Sequence, residues 1–199
     1  MPAQARGGTV LTPIRWFWLA AVAALVVDLA SKAWIFAILG GGPPANNIYT
    51  DENVIWLLPG AFRLICHYNT GGAFGLASGK LLLFLGATAV LVPALVLTAY
   101  HNNEPDAPLW SLGMIVGGAL GNLYDRLFHV GVRDFLEIMN PGTSRGLWPV
   151  FNIADVAIVA GVVVYVVWSV LDHFRKAREN RRQDPEAPAE GEEYEPEAS

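Results

Sequence analysis

Two aspartates, Asp134 and Asp155, sit where an otherwise apolar chain has little reason to place charge. Asp134 lies in VRDF (132–135), just past one apolar stretch, and Asp155 closes FNIAD (151–155) at the opening of another. Two amides, Asn122 and Asn152, and one cation, Arg126, gather at the same ends. Two carboxylates around one water are the minimal machinery of aspartic peptide hydrolysis. One takes a proton from water while the other, protonated, polarises the scissile carbonyl. Like charges held that close share a proton, and an apolar rim raises the shared pKa further. Amides orient such a pair without adding charge. The chemistry fails if the two carboxyls lie too far apart to share a water.

Each of these residues also has a plainer reading. Asp134 alone reads as a surface residue or helix cap. Asn152 reads as an N-cap, with Asp155 at the third helical position favouring the dipole. Asp125 and Arg126 read as a polar helix terminus, solvated or paired. Asp28 and Lys32, four apart on one helix face, read either as an ion pair that eases insertion or as a brace for a polar site between helices. Other chemistries fit less well. Cys66 and His67 are adjacent, and neighbours on a strand point to opposite faces, so they do not form a nucleophile–base pair. The four histidines (His67, His101, His129, His173) are scattered, and no HExxH or CxxC is present, so no metal site is expected. There is no GxSxG and no phosphate-binding loop.

The elements that must position these groups are set by composition. Of 199 residues 53% are hydrophobic and only 16% are charged, too apolar for a soluble domain of this size. A single cysteine excludes an internal disulfide. The net charge of -5 is a tail effect: seven of the 18 acidic residues lie in 184–199, and the remainder carries +2. No basic nucleic-acid face is present. Apolar segments run over residues 16–39, 81–99, 108–124 and 153–171. The first two reach the length needed to span a bilayer, and the last two are marginal by themselves. The first is too long for a cleaved signal peptide and carries Asp28 and Lys32, so it reads as a retained helix. Gly113, Gly117 and Gly121, spaced by four, form a ridge for close helix approach. Pro93 reads as a kink tolerated within the second span.

These patterns predict an all-α polytopic membrane protein. It has four transmembrane helices and a small extracytoplasmic β element between the first and second spans, with a strand over residues 61–68. Arg6 and Arg15 before the first span, and the basic run from Arg175 to Arg182 after the last, place both termini in the cytoplasm. The two longer connections then face outward. The expected organisation is an N-terminal segment 1–15, a membrane domain 16–172 and a basic-then-acidic tail 173–199, disordered beyond residue 183.

In order, Asp28…Lys32, NTGGAF (69–74), GGALGNLYDR (117–126), VRDF and FNIAD resemble bacterial lipoprotein signal peptidase, signal peptidase II. The resemblance covers roughly residues 16–171. It implies an aspartic endopeptidase of the bacterial inner membrane, active at the outer face. Its substrate is a diacylglyceryl-modified prolipoprotein, cut just before the lipidated cysteine. The resemblance places the catalytic pair on Asp134 and Asp155. Supporting roles fall on Asp28, Lys32, Asn69, Asn122, Arg126 and Asn152, with Gly71 and Ala73 at small positions of the outer loop. Asp125 also matches a family position and is read here as structural. The reaction implies no cofactor and no metal. The expected partners are the prolipoprotein and membrane lipids, for a chain that works as a monomer and binds no nucleic acid. Ser31, Gly72 and the Gly/Pro-rich stretch 137–149 depart from the common pattern, and a loop at 137–149 would flank the cleft. The alternatives are a small proton-coupled transporter, for which no inverted repeat is visible, and a membrane scaffold subunit.

Overall fold

The computed structural model describes residues 13–41, 54–70, 80–101, 106–143 and 146–183. In chain order the elements are α1 (Pro13–Ile38), β1 (Ile55–Leu58), β2 (Phe62–Asn69), α2 (Lys80–His101), α3 (Leu109–Phe128), β3 (Val132–Ile138) and α4 (Ile153–Gln183). The chain divides into two compact units, Met1–Tyr165 and Val166–Ser199.

Within the first unit α3 is the central helix. It packs along α1 and also meets α2. The glycine ridge is the reason for the close approach. A Cβ at Gly113 would collide with the backbone carbonyl of Phe17, and one at Gly117 with that of Ala21. On its other side, a Cβ at Gly118 would meet the Ala154 carbonyl at 2.6 Å, which seats the start of α4 against α3.

Helix α1 ends where Gly40 takes φ 65°, the left-handed region that glycine occupies without strain. The Gly41 amide then bonds the Phe36 carbonyl (2.9 Å) and the Gly40 amide the Ala37 carbonyl (3.4 Å), closing a Schellman turn. This turn presents Ile35, Phe36 and Leu39 to Leu64 and Phe135, the buried cluster that joins α1 to the sheet.

The sheet is antiparallel in the order β1-β2-β3. β1 and β2 are joined by a tight turn in which Ala61 N–H bonds the Leu58 carbonyl (3.0 Å), with Pro59 and Gly60 (φ 74°) at its centre. The expected strand at 61–68 is thus β2. The expectation of a β element confined to the chain between α1 and α2 is corrected: β3 comes from between α3 and α4. Its pattern VRDFLEI does not alternate cleanly because β3 is buried on both faces over most of its length.

Among the described residues, three helices are long and apolar enough to cross a membrane: Ile14–Ile38, Leu82–His101 and Ile153–Arg182. The last therefore qualifies by itself, contrary to the marginal reading of the fourth segment, because the helix continues past Leu171. α3 does not qualify. It has 20 residues with four glycines and ends in Asn122, Asp125 and Arg126, and one face is turned to its neighbours rather than to lipid. Among the described residues of the second unit, 166–183 are helical, so the first part of the 173–199 segment continues α4. There Asp172 pairs with Arg175 (2.8 Å) and Lys176 (2.9 Å) on the same helix.

Candidate active site

The sheet delivers one carboxylate. Across β2 and β3, His67 lies opposite Asp134 and Asn69 opposite Val132, so Asn69 and Asp134 share one face diagonally. The Asn69 Nδ2 group donates to Asp134 Oδ2 at 3.0 Å. β3 then fixes the entry to α4. Phe151 bridges Leu136 with bonds of 2.8 and 3.0 Å, and its carbonyl also accepts from Phe135 N–H at 3.0 Å. The next residue is Asn152, whose Nδ2 donates to Asp134 Oδ1 at 2.6 Å.

The start of α4 delivers the other carboxylate. Asn152 and Asp155 cap each other reciprocally. The Asp155 amide donates to Asn152 Oδ1 (3.0 Å), and the Asn152 amide donates to Asp155 Oδ2 (3.1 Å). Asp155 Oδ1 accepts from Asn122 Nδ2 at 2.9 Å. Asp134 and Asp155 therefore both bond to the same residue, Asn152. The capping reading of Asn152 holds, and the same cap fixes where the Asp155 carboxyl sits.

Behind the pair lies a buried ionic layer. Lys32 and Asp28, both fully buried, pair at 2.7 Å. Lys32 Nζ also donates to Asn122 Oδ1 (3.0 Å) and lies 3.2 Å from Asp125 Oδ2. The second Asp28 oxygen accepts the Ala154 amide at 2.9 Å, satisfying another open donor of the α4 N-terminus. Gly121 leaves room for this, since a Cβ there would strike Asp28 Oδ2. Asp125 is also fully buried. It accepts from Arg133 Nη2 (2.8 Å), Nε (3.1 Å) and backbone N–H (2.9 Å). No buried side-chain polar atom of the described residues lacks a partner.

Burial, and then the neighbouring charge of Asp155, push the Asp134 carboxyl up to about 7. Asn69 and Asn152 partly offset this by donating to the ionised form. Asp134 thus holds a proton at a pH where an ordinary aspartate has lost it.

Of the residues singled out in the sequence, Asp28, Lys32, Asn69, Asn122, Asp134, Asn152 and Asp155 form one continuous hydrogen-bonded network. Arg126 stands at its edge. Its Nη1 donates to the Asn122 carbonyl (3.1 Å), its guanidinium lies 4.2 Å from the Phe84 ring centroid, and the charges of Asp155 and Asp134 act on it. Gly71 and Ala73 lie outside the described residues. Arg133 is the residue that sequence reasoning missed. It precedes Asp134, and on a strand this turns it to the opposite face, where it meets Asp125. Cys66 packs against the α1–sheet cluster, and burial pushes its thiol up to about 11. His67 faces Asp134 across the strand pair, and burial lowers its pKa. Among the described residues no group of His, Cys, Asp and Glu could hold a metal ion.

Residues 20–171 match the family described as signal peptidase (SPase) II. The chain is 35% identical over 162 residues to the lipoprotein signal peptidase of Syntrophomonas wolfei, covering 81% of this chain and 97% of that protein. It is 40% identical over 157 residues to the lipoprotein signal peptidase of Moorella thermoacetica, covering 78% and 92%. A solved structure described as a bacterial membrane enzyme determined by the in meso method at 2.3 Å superposes with a TM-score of 0.65. It is 25% identical and covers 87% of this chain and 96% of that one.

Proposed function

The chain belongs to the signal peptidase II family, and from that premise we propose that Asp134 and Asp155 are the pair that activates water. The enzyme is an aspartic-type lipoprotein signal peptidase of the bacterial inner membrane. Its substrate is the prolipoprotein, whose signal peptide it removes by cutting before the lipidated cysteine. The transporter and scaffold alternatives find no support in these relatives.

One observation carries the assignment: Asn152 bonds Asp134 through its side chain and Asp155 through its backbone and side chain, so the two carboxyls are held as a unit. The roles follow from their surroundings. Asp134, 1% exposed and with its carboxyl pushed up to about 7, holds the proton and donates it toward the scissile carbonyl oxygen. Asp155 is half-buried and takes a proton from the attacking water. Collapse of the tetrahedral intermediate returns a proton to the departing amine of the cysteine residue. Asn69, Asn122 and Asn152 keep the carboxyls oriented without adding charge. Asp28 and Lys32 hold the α4 N-terminus, and Arg126 supplies a nearby cation.

Four spans with both termini in the cytoplasm and the dyad at the outer face suit this chemistry. α3 crosses as the central helix shielded by its neighbours, and the basic residues flanking α1 and following α4 favour the inner side. A diacylglyceryl group is most stable in lipid while the scissile bond must meet water, and a dyad at the outer rim satisfies both. One chain supplies both aspartates, so the monomer is sufficient. Cleavage of a lipidated prolipoprotein in detergent, read by gel shift, tests the assignment: wild type cuts, and Asp134→Asn does not. An active Asp134→Asn overturns it.

A further inference from the structure

At Leu171 the apolar run of α4 ends, and five cations follow over residues 175–182: Arg175, Lys176, Arg178, Arg181 and Arg182. Against Asp172 and Glu179 they leave residues 172–183 with a net charge of +3. A groove of about 410 Å³ lies along this part of the helix, lined by Leu171, Phe174, Arg175, Arg178, Glu179 and Arg182. We propose that this groove seats an anionic phospholipid of the leaflet from which α4 emerges, with its phosphate on Arg178 and Arg182 and the start of its acyl chains on Leu171 and Phe174. All of these residues but Leu171 lie beyond the stretch 20–171 that matches the family. The dyad plays no part in the binding.

Helical spacing puts the groups on one face. Arg178 and Arg182 follow Leu171 by about two and three helical turns, so the three stand in one line. Phe174 and Arg175 flank that line, while Lys176 and Arg181 do not line the groove. Arg178 and Arg182 are exposed and four apart, so one phosphate can accept from both guanidinium groups. Asp172 holds Arg175 (2.8 Å) and Lys176 (2.9 Å) and partly neutralises them. The two outer arginines therefore carry most of the charge that the groove presents.

A face that changes from apolar to cationic along the helix matches the acyl–headgroup boundary of a phospholipid. Leu171 is 63% exposed and Phe174 59% exposed, where the apolar run stops. Arg175 and Arg178 lie about 6 and 10 Å further along the helix and Arg182 about 16 Å, against a headgroup layer about 5–8 Å deep on each side of a bilayer. Long arginine stems let the outer charges reach back to that layer. Clusters of about four to eight basic residues just past a transmembrane helix are a mark of anionic-lipid binding. Other occupants fit less well. The seven acidic residues of 184–199 complement the arginines in charge, but beyond Tyr194 that segment brings little apolar surface to Leu171 and Phe174. A second copy of this face would set arginine against arginine.

The full chain, reconstituted in nanodiscs of equimolar phosphatidylglycerol and phosphatidylcholine with matched chains, tests this. After release, the phospholipids that stay bound are counted by native mass spectrometry. Wild type should retain phosphatidylglycerol in preference. Each basic side chain near an anionic surface is worth roughly fivefold in binding, so Arg178→Gln with Arg182→Gln should lower the preference by up to roughly 25-fold. Lys176→Gln with Arg181→Gln removes the same charge outside the groove and should keep most of it. Unchanged thermal midpoints in phosphatidylcholine alone show that both double variants are folded. Inorganic phosphate at matched ionic strength should not displace the lipid, because it offers nothing to Leu171 and Phe174. A wild type without preference overturns the proposal, and so do equal losses in the two double variants, which reduce the effect to net charge. Displacement by inorganic phosphate overturns it by making the arginines a free-anion site. A preference that appears only after deletion of residues 184–199 also overturns it, by giving the face to that segment.

Discussion

The Asn152 side-chain amide donates to Asp134 Oδ1 at 2.6 Å while its own backbone amide donates to Asp155 at 3.1 Å. One residue, at the junction of a bridged strand segment and a helix N-terminus, thus ties together carboxylates that arrive from different elements. Its Nδ2 also reaches Asn122 Oδ1 at 3.1 Å, so the α3 amide that holds Asp155 is part of the same clasp. The two carboxyls are therefore held by one residue, and the consequences of the proposed pairing can be measured.

Asp134→Asn and Asp155→Asn each remove one titrating oxygen and should each cut turnover by about 10²–10⁴-fold, the usual span for a general acid or base. Residues acting as a unit are not additive, so the double variant should be scarcely slower than either single one. Initial rates on a lipidated prolipoprotein, with monodispersity checked for each variant, decide this. Near-normal cleavage by either single variant removes that aspartate from the dyad.

The raised carboxyl of Asp134 links pH to both activity and stability. In the fold it keeps its proton up to about 7, whereas an unfolded aspartate releases it near 3.9. Between those values the native state binds more protons, so stability falls as pH rises, by about 1.4 kcal/mol per unit for this group. The thermal midpoint in detergent should drop between pH 4 and 7 from this group, and Asp134→Asn should flatten that part of the profile. Turnover should decline above pH 7 as the proton is lost. A wild-type midpoint with the same pH dependence as Asp134→Asn would show that the carboxyl is not raised.

How much of this was legible in the sequence follows from the range of each interaction. The Asn152–Asp155 cap is three residues long, and the type and spacing announce it. The Asp28–Lys32 pair is one helical turn and is equally plain. The glycine ridge predicted a close helix neighbour, which is α1. The bond from the Ala154 amide to Asp28 spans 126 residues, and no local pattern encodes it. β3 was hidden because a strand buried on both faces loses the alternation that identifies strands. Arg133 was hidden by its neighbour: Asp134 drew attention to one face of the strand, and the partner of Arg133 lay on the other.

Cys66→Ala should leave cleavage intact. The thiol, held up to about 11 by burial, stays protonated at working pH, and a thiol is a poor nucleophile compared with its thiolate. The side chain packs against the α1–sheet cluster, away from the face that carries Asp134. Rates of the variant and of thiol-blocked wild type should both match untreated enzyme. A large loss in a folded Cys66→Ala protein would revive the cysteine chemistry.

Asp28→Asn and Lys32→Met should fail differently from the dyad variants. Lys32→Met leaves Asp28 buried without its cation, which typically costs about 3–5 kcal/mol, whereas Asp28→Asn leaves Lys32 with Asp125 alone and should cost less. Asp28 also caps Ala154, so its loss loosens the turn that aims Asp155. Both variants should lose thermal stability in detergent along with activity. A variant that keeps wild-type stability while turnover collapses would instead indicate direct substrate contact.

Asp125 offers the sharpest separation of structure from chemistry. It is fully buried and touches neither dyad carboxylate in the hydrogen-bonded network, yet it carries three bonds from Arg133 and the ion pair with Lys32. Asp125→Asn leaves buried Arg133 without its counter-charge while Lys32 keeps Asp28, so a stability loss on the order of 3–5 kcal/mol is expected. Because Arg133 adjoins Asp134, the start of β3 should also shift and slow the reaction. Measured per folded molecule, turnover should nonetheless remain well above that of Asp134→Asn, since both titrating carboxyls survive. Arg133→Gln should reproduce the same mixture. The double variant should be no worse than the sum of the two, because removing both partners leaves no orphaned arginine. Thermal midpoints and cleavage rates of the three variants, compared in one detergent, provide the test. A well-folded but inactive Asp125→Asn would mean that the working partner was chosen wrongly from this acidic cluster.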